Sequence, residues 1–189
     1  MPRESPLATT IPTALDLRGG YKEWLIVMTQ AEFEALLGRF TAAVQGDNGG
    51  GGAALAAEFT EDGLYHDVFY GPFQGRAKIA KMLEDHFWAH GETYHWEMHQ
   101  PVISSDIGYA HWTFSFTSKL ATVAGKRVVW EGMSKFQLKG GLIAHYKEMF
   151  DIGIALTQTE FPADRIARIA SKHVERLRAG YAGSLHLPV

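Results

Sequence analysis

Apolar residues recur at helical spacing near both ends of the chain and at strand spacing through its middle. After "MTQAE" at 28–32, Phe33, Leu36, Leu37, Phe40 and Val44 fall at i, i+3, i+4, i+7 and i+11, one stripe of an amphipathic helix. Thr29 and Glu32 stand at capping-box spacing, with Met28 and Phe33 placed as a hydrophobic staple, so the helix starts there. It ends in "QGDNGGGG", where five glycines make a loop. A short alanine-rich helix over about 53–60 leads to a strand in "YHDVFYGPFQGR" (65–76) and a Gly71–Pro72 turn. In "RAKIAKMLEDHFWAHG" the residues Ile79, Met82, Leu83 and Phe87 share one helical face.

Four long strands follow, near 93–104, 108–120, 126–139 and 142–152, with "SSD" around 105 and "KGG" at 139–141 as hairpin turns. Side chains alternate along a strand, so parity sorts the faces. Tyr94, Trp96 and Met98 oppose His95, Glu97 and His99, and Trp112, Phe114 and Phe116 oppose Tyr109, His111, Thr113, Ser115 and Thr117. On the third strand Val128, Trp130, Gly132, Ser134, Phe136 and Leu138 oppose Glu131, Met133, Lys135 and Gln137. The pattern predicts an α+β domain whose antiparallel sheet has an aromatic concave side and a polar outer side. A last helix in "FPADRIARIASKHVERLRAG" has Pro162 and Asp164 at its start, Arg176 and Arg178 near its end and Gly180 just past it. Its stripe of Ile166, Ile169, Ala170 and Leu177 is expected to dock on its own domain or on a partner subunit. The organisation is a 1–28 extension, one domain over 29–158, and a C-terminal helix and tail over 159–189.

Composition narrows the function classes. A chain of 189 residues, 46% hydrophobic, suffices for one domain with a sizeable core. A net charge of −3, with both signs interspersed, gives no footprint for nucleic acid or an anionic membrane. With no cysteine there is no disulfide, thiolate metal site or cysteine nucleophile, which fits a cytoplasmic protein. "MPRESPLATTIP" lacks an apolar h-region, so neither a signal peptide nor a membrane partner is expected.

"HWEMH" (95–99) invites a metal reading, but i and i+4 on a strand lie about 13 Å apart, against metal–ligand bonds of about 2 Å. His86 and His90 have helical spacing for one ion but no third ligand, so no metal site is expected. The unusual residue is Asp67, a carboxylate on the same strand face as Tyr65 and Phe69. Such a group is costly unless it is paired, bonded or used. It either bonds backbone amides at the following turn or serves as an acid/base group with its pKa raised by desolvation.

Two motifs, "FTEDGLYHDVFYGPFQGRAKI" and "KGGLIAHYKEMFDIGIALTQ", resemble the nuclear transport factor 2-like superfamily, in particular its SnoaL-like branch related to polyketide cyclases and ketosteroid isomerases. The resemblance covers about 29–158. It implies a cone-shaped, cystatin-like α+β barrel, a strongly curved antiparallel sheet wrapped around the N-terminal helices, with the C-terminal helix as an addition. Asp67 falls at the isomerase general base and Asp151 at the cyclase acid/base aspartate, so these are the expected catalytic residues. The isomerase's oxyanion-donating tyrosine falls on Phe40, its protonated aspartic acid near Ser134, and a cyclase tryptophan on Lys147. The implied ligand-binding set is Tyr65, Phe69, Trp88, Trp112, Phe114, Trp130, Ser134, Lys147 and Phe40. Lys147 facing inward would pair with Asp151; Arg76 is the other candidate partner. The expected ligand is a small hydrophobic molecule, handled without cofactor or metal by lyase, isomerase or cyclase chemistry. The alternatives are a non-catalytic binding module and a protein-interaction domain. A homodimer through an outer sheet face bearing Tyr109, Met133 and Tyr146 is expected in any of these cases.

Overall fold

The computed structural model describes residues 28–188, so most of the 1–28 extension lies outside it. Helix α1 (Gln30–Gln45) starts as the capping box requires: the Thr29 backbone N–H donates to Glu32 Oε2 at 2.8 Å, and Glu32 N–H to Thr29 Oγ1 at 3.3 Å. It stops at Gly46, whose φ of 80° is the left-handed conformation that glycine adopts without a Cβ penalty. The stripe from Phe33 to Val44 is buried. Helix α2 (Gly52–Ala57) packs on α3 (Arg76–Met82), which runs on through a π-turn at Leu83–Phe87 into the short α4 (Trp88–His90).

The strands are β1 (Phe59–Asp67), β2 (Gly71–Gln74), β3 (Gly91–Ser104), β4 (Ile107–Ser118), β5 (Arg127–Lys139) and β6 (Leu142–Phe150). They form one six-stranded sheet in the order β2-β1-β6-β5-β4-β3. The sheet is not wholly antiparallel as expected, because β1 pairs with β6 in parallel and so carries the early hairpin to the open edge of the meander. The stretch read as a Gly–Pro turn is the strand β2, with Asp67 opposite Gly71.

Two bulges bend β3. The β3–β4 register slips between Glu92 and His95 and again between His99 and Val102. Thr93 (φ 53°) and Gln100 (φ 47°) supply the left-handed residues. The expected face of Tyr94, Trp96 and Met98 holds between the bulges; beyond Gln100 the phase flips, turning Ile103 to the core and Val102 to solvent. The curved sheet closes on α1, and Phe40 sits among Tyr65, Trp96, Phe136 and Tyr146 with ring centroids 5.2–6.3 Å apart. Each fully buried ring contributes about 1.5–3 kcal/mol. Packing of this kind, not local propensity, holds the sheet curved.

The end of the chain departs from expectation. β6 stops at Phe150, and Asp151 caps a helix, α5 (Ile152–Gln158), instead of ending the strand. Helix α6 (Ala163–Tyr181) runs through Gly180, where a stop was expected. It makes contact with α5 and leaves Val174 and Leu177 exposed. Among the described residues no helix is long and apolar enough to cross a membrane.

Candidate active site

The concave face of the sheet, α5 and the first half of α6 enclose a cavity of about 380 Å³. Its walls are aromatic because the core-facing residues of β4 and β5 run on past the end of α1. Phe69, Trp112, Phe114 and Trp130 all line it, and Phe114 and Trp130 lie 5.0 Å apart. Leu156 of α5, Phe161 in the α5–α6 loop and Ile169 of α6 complete the lining.

Asp67 lies at the end of β1 with 2% of its surface exposed, and lines the cavity. Its Oδ1 accepts the Tyr70 backbone N–H at 2.7 Å, closing the β1–β2 hairpin. The backbone-bonding and acid/base expectations thus meet in one residue: one oxygen holds the turn while the carboxyl still borders the cavity. Beside it on β6 is a second buried carboxyl, Glu148, also lining the cavity and 7% exposed. Burial pushes the Asp67 carboxyl up to about 6, against the pull of the Tyr70 and Phe69 amides and of a hydrogen bond from Glu148. Glu148 is raised well above the usual carboxylate range, by burial first and by the charge of Asp67 second. Two like charges this close cannot both ionise readily, so near neutral pH the pair shares one proton.

A directed relay supports Glu148. Trp112 Nε1–H donates to Ser134 Oγ at 2.8 Å, Ser134 to the Tyr146 hydroxyl at 2.8 Å, and Tyr146 to Glu148 Oε2 at 2.8 Å. The first link requires Gly132, because Trp112 lies directly opposite it and its indole crosses the bare strand to reach Ser134. The Val68 backbone N–H approaches Glu148 Oε1 at 3.4 Å. On the other side of the cavity Tyr70 stacks on His86 at 4.5 Å, and its hydroxyl lies 3.3 Å from His90 Nδ1. His86 belongs to the π-turn, a local irregularity that recurs at functional sites. Among the described residues no three His, Asp or Glu side chains converge as metal ligands would.

Several expected site residues sit elsewhere. Asp151 is exposed, its Oδ1 accepting the Gly153 N–H at 2.8 Å as the N-cap of α5, so the second carboxyl at the cavity is Glu148. Lys147 is exposed on the opposite face and does not pair with Asp151; Arg76 instead donates to the Phe59 carbonyl and pairs with Glu61. Phe40 and Tyr65 are fully buried in the core and do not line the cavity, and Ser134 is linked to it only through its bonds to Trp112 and to Tyr146, the donor to Glu148. Trp88 is held away from it, its Nε1–H donating to the Val44 carbonyl at 3.0 Å. Tyr146, expected on the outer face, is buried. Glu148 and Tyr146 were missed, although "YKEMF" repeats the aromatic–acid–aromatic alternation of "YHDVF".

Residues 37–146 match the family model of the SnoaL-like domain, a span that includes Asp67 and ends two residues short of Glu148. The chain is similar in structure to a protein of ketosteroid isomerase-like fold from Catenulispora acidiphila, solved in complex with trimethylamine. That likeness has a TM-score of 0.60 and 22% identity over 68% of this chain and 95% of the other. A SnoaL-like polyketide cyclase from Jannaschia matches with a TM-score of 0.58 and 13% identity over 76% and 99% of the two chains. An LEH-like epoxide hydrolase of M. tuberculosis matches with a TM-score of 0.55 and 16% identity over 68% and 89%. At these identities the likeness concerns the fold, cystatin-like and cone-shaped. No curated protein matches the chain.

Proposed function

The chain belongs to the SnoaL-like domain family, and on that premise we propose that it is a proton-transfer enzyme acting on a small, largely apolar molecule held in the aromatic cavity. The observation that carries this reading is the pair of buried carboxyls, Asp67 and Glu148, that line the same cavity side by side. Asp67, ionised above about pH 6, is the base; Glu148, which keeps its proton, is the acid. Desolvation keeps the Asp67 charge reactive, because water does not compete for it. The Tyr146 hydroxyl, donating to Glu148 Oε2, fixes the orientation of the Glu148 carboxyl. Removing a proton from carbon beside a carbonyl and returning one nearby is the step shared by isomerases, cyclases and lyases.

The test needs no knowledge of the natural product. Cyclic and aromatic ketones are incubated with the protein in D₂O, and exchange of the hydrogens next to the carbonyl is followed by NMR. The reading expects catalysed exchange that falls at least a hundredfold in Asp67→Asn. Exchange that is equal in the two proteins would remove Asp67 from the chemistry.

A second copy of the chain is proposed to cover the outer face of the sheet, where Tyr109, Met133 and Met149 are 41–68% exposed and Met133 pairs with Met149 across β5 and β6. Sedimentation of Met133→Glu against the parent tests it: a dimeric parent and a monomeric variant are expected.

A further inference from the structure

The cavity has a charge imbalance. Two carboxyls and two histidines, His86 and His90, line it, yet among the described residues no lysine or arginine does. Lys147 is adjacent to Glu148 in sequence but points to solvent on the other face of β6. The carboxyl pair therefore has no lysine or arginine to offset its charge, and a buried charge is ordinarily matched by one of opposite sign. Facing it is a continuous aromatic wall: Phe114 to Trp130 at 5.0 Å, Trp130 to Phe150 at 5.8 Å and Phe150 to Trp112 at 5.7 Å between ring centroids. Such rings attract cations through their negative faces, tryptophan most strongly. The rings themselves offer no acceptors for N–H groups, so a cation seated on them is matched best where alkyl groups replace its donors. An alkylated ammonium has few or no donors to satisfy.

We infer that the cavity takes a ligand carrying an alkylated ammonium group on an apolar body, the cation seated on the Trp112–Phe150–Trp130 wall and balanced by Asp67. The inference deepens the proposed function and rests on its assignment of this cavity as the substrate site. It also implies rejection: a carboxylate ligand of the same shape meets the Asp67 charge with no cation to offset it.

The test uses three probes of matched shape at pH 7.5, with binding followed by ligand-observed NMR: phenyltrimethylammonium, its neutral isostere tert-butylbenzene, and the anion 4-tert-butylbenzoate. The cation is expected to bind at least tenfold more tightly than the neutral isostere, and the anion not measurably. In Asp67→Asn the preference falls to within about twofold. In Glu148→Gln, which replaces a neutral acid by a neutral amide, it is retained. Equal binding of cation and isostere by the parent overturns the inference, as does a preference that survives in Asp67→Asn. If none of the probes binds, the inference falls with its cavity. Ketone exchange in D₂O is read separately, so catalysed exchange without cation preference leaves the proposed function standing.

Discussion

Asp67 and Glu148 lie side by side just past the last pair of the parallel β1–β6 ladder. Tyr65 pairs with Tyr146 and His66 with Lys147, so the next residues inward are the two acids. Aromatic pairs flank them, Tyr65 with Tyr146 at 4.5 Å and Phe69 with Phe150 at 5.1 Å between ring centroids. Two strands distant in the chain thus bring two like charges together in a dry layer, where both cannot readily ionise at once. The stability cost of that arrangement is what the proposed chemistry uses.

The first prediction concerns that cost. Asp67 titrates at about 6 when folded and at 3.8 as a free side chain, so the folded protein holds the proton more tightly. Above pH 6 the ionised group opposes folding; as pH falls from 6 towards 3.8 the opposition is relieved. Asp67→Asn should therefore raise Tm at pH 7.5, by roughly 2–4 °C per kcal/mol relieved, while abolishing exchange activity. The gain should shrink by pH 4.5. Differential scanning calorimetry at the two pH values checks it, and a variant less stable than the parent at pH 7.5 contradicts the assigned burial cost.

Tyr146→Phe should act in the opposite direction. It strips the donor from Glu148 and the acceptor from Ser134, leaving two buried polar groups unmatched at about 1–3 kcal/mol. Because the Tyr146 bond holds the Glu148 carboxyl lower than burial alone would, its loss pushes Glu148 further up. Urea unfolding should register the destabilisation. The alkaline limb of the exchange–pH profile, which reports loss of the Glu148 proton, should move to higher pH, a change that loosened packing alone does not produce.

How much of this was legible in the sequence depends on phase. The helix starts, the meander and the Asp67 face follow from local alternation, because capping and pleat act over a few residues. Glu148 did not, because β6 carries an irregularity between the Ile143 and His145 pairings with β5, and both Ile143 and Tyr146 turn inward. With Asp151 taken as the end of the strand, an inward Lys147 would pair with it; in the structure Lys147 is exposed and Glu148 buried. Nor does any local pattern announce the parallel β1–β6 pairing, whose register alone sets the acids side by side.

Acid should loosen the seat of α6. His66 on β1 and His145 on β6 stack at 6.4 Å, and His173 of α6 lies close by. All three are lowered, in each case by burial first, with Lys147 acting on His66 and His145, Arg176 on His66 and His173, and Lys135 on His145. Folded-state values below 6.5 mean that the unfolded chain binds these protons first. Their contribution to stability is present above pH 6.5 and is lost as pH falls below it. Hydrogen exchange of the α6 amides should quicken from pH 7.5 to 5.5, and His173→Gln should flatten that dependence. An unchanged slope in the variant would exclude the histidine contact as its source.

A single methyl group added at Gly132 should damage both the fold and the cavity. A Cβ there would lie 2.5 Å from Trp112 Cζ2 and 2.7 Å from the Met149 carbonyl oxygen. The carbonyl belongs to the β5–β6 ladder and cannot withdraw, so the indole must lift from the strand. Lifting it breaks the bond to Ser134 and drives the ring into the cavity it now walls. Overpacking of this sort costs about 1–3 kcal/mol, and the lost hydrogen bond adds to it. Gly132→Ala should thus lower Tm by more than Tyr146→Phe does and also weaken binding of any probe that fills the cavity. Trp112→Phe in the same background removes the clashing part of the ring and should recover part of the stability. Recovery in that double variant would trace the damage to the indole, whereas its absence would trace it to the Met149 backbone.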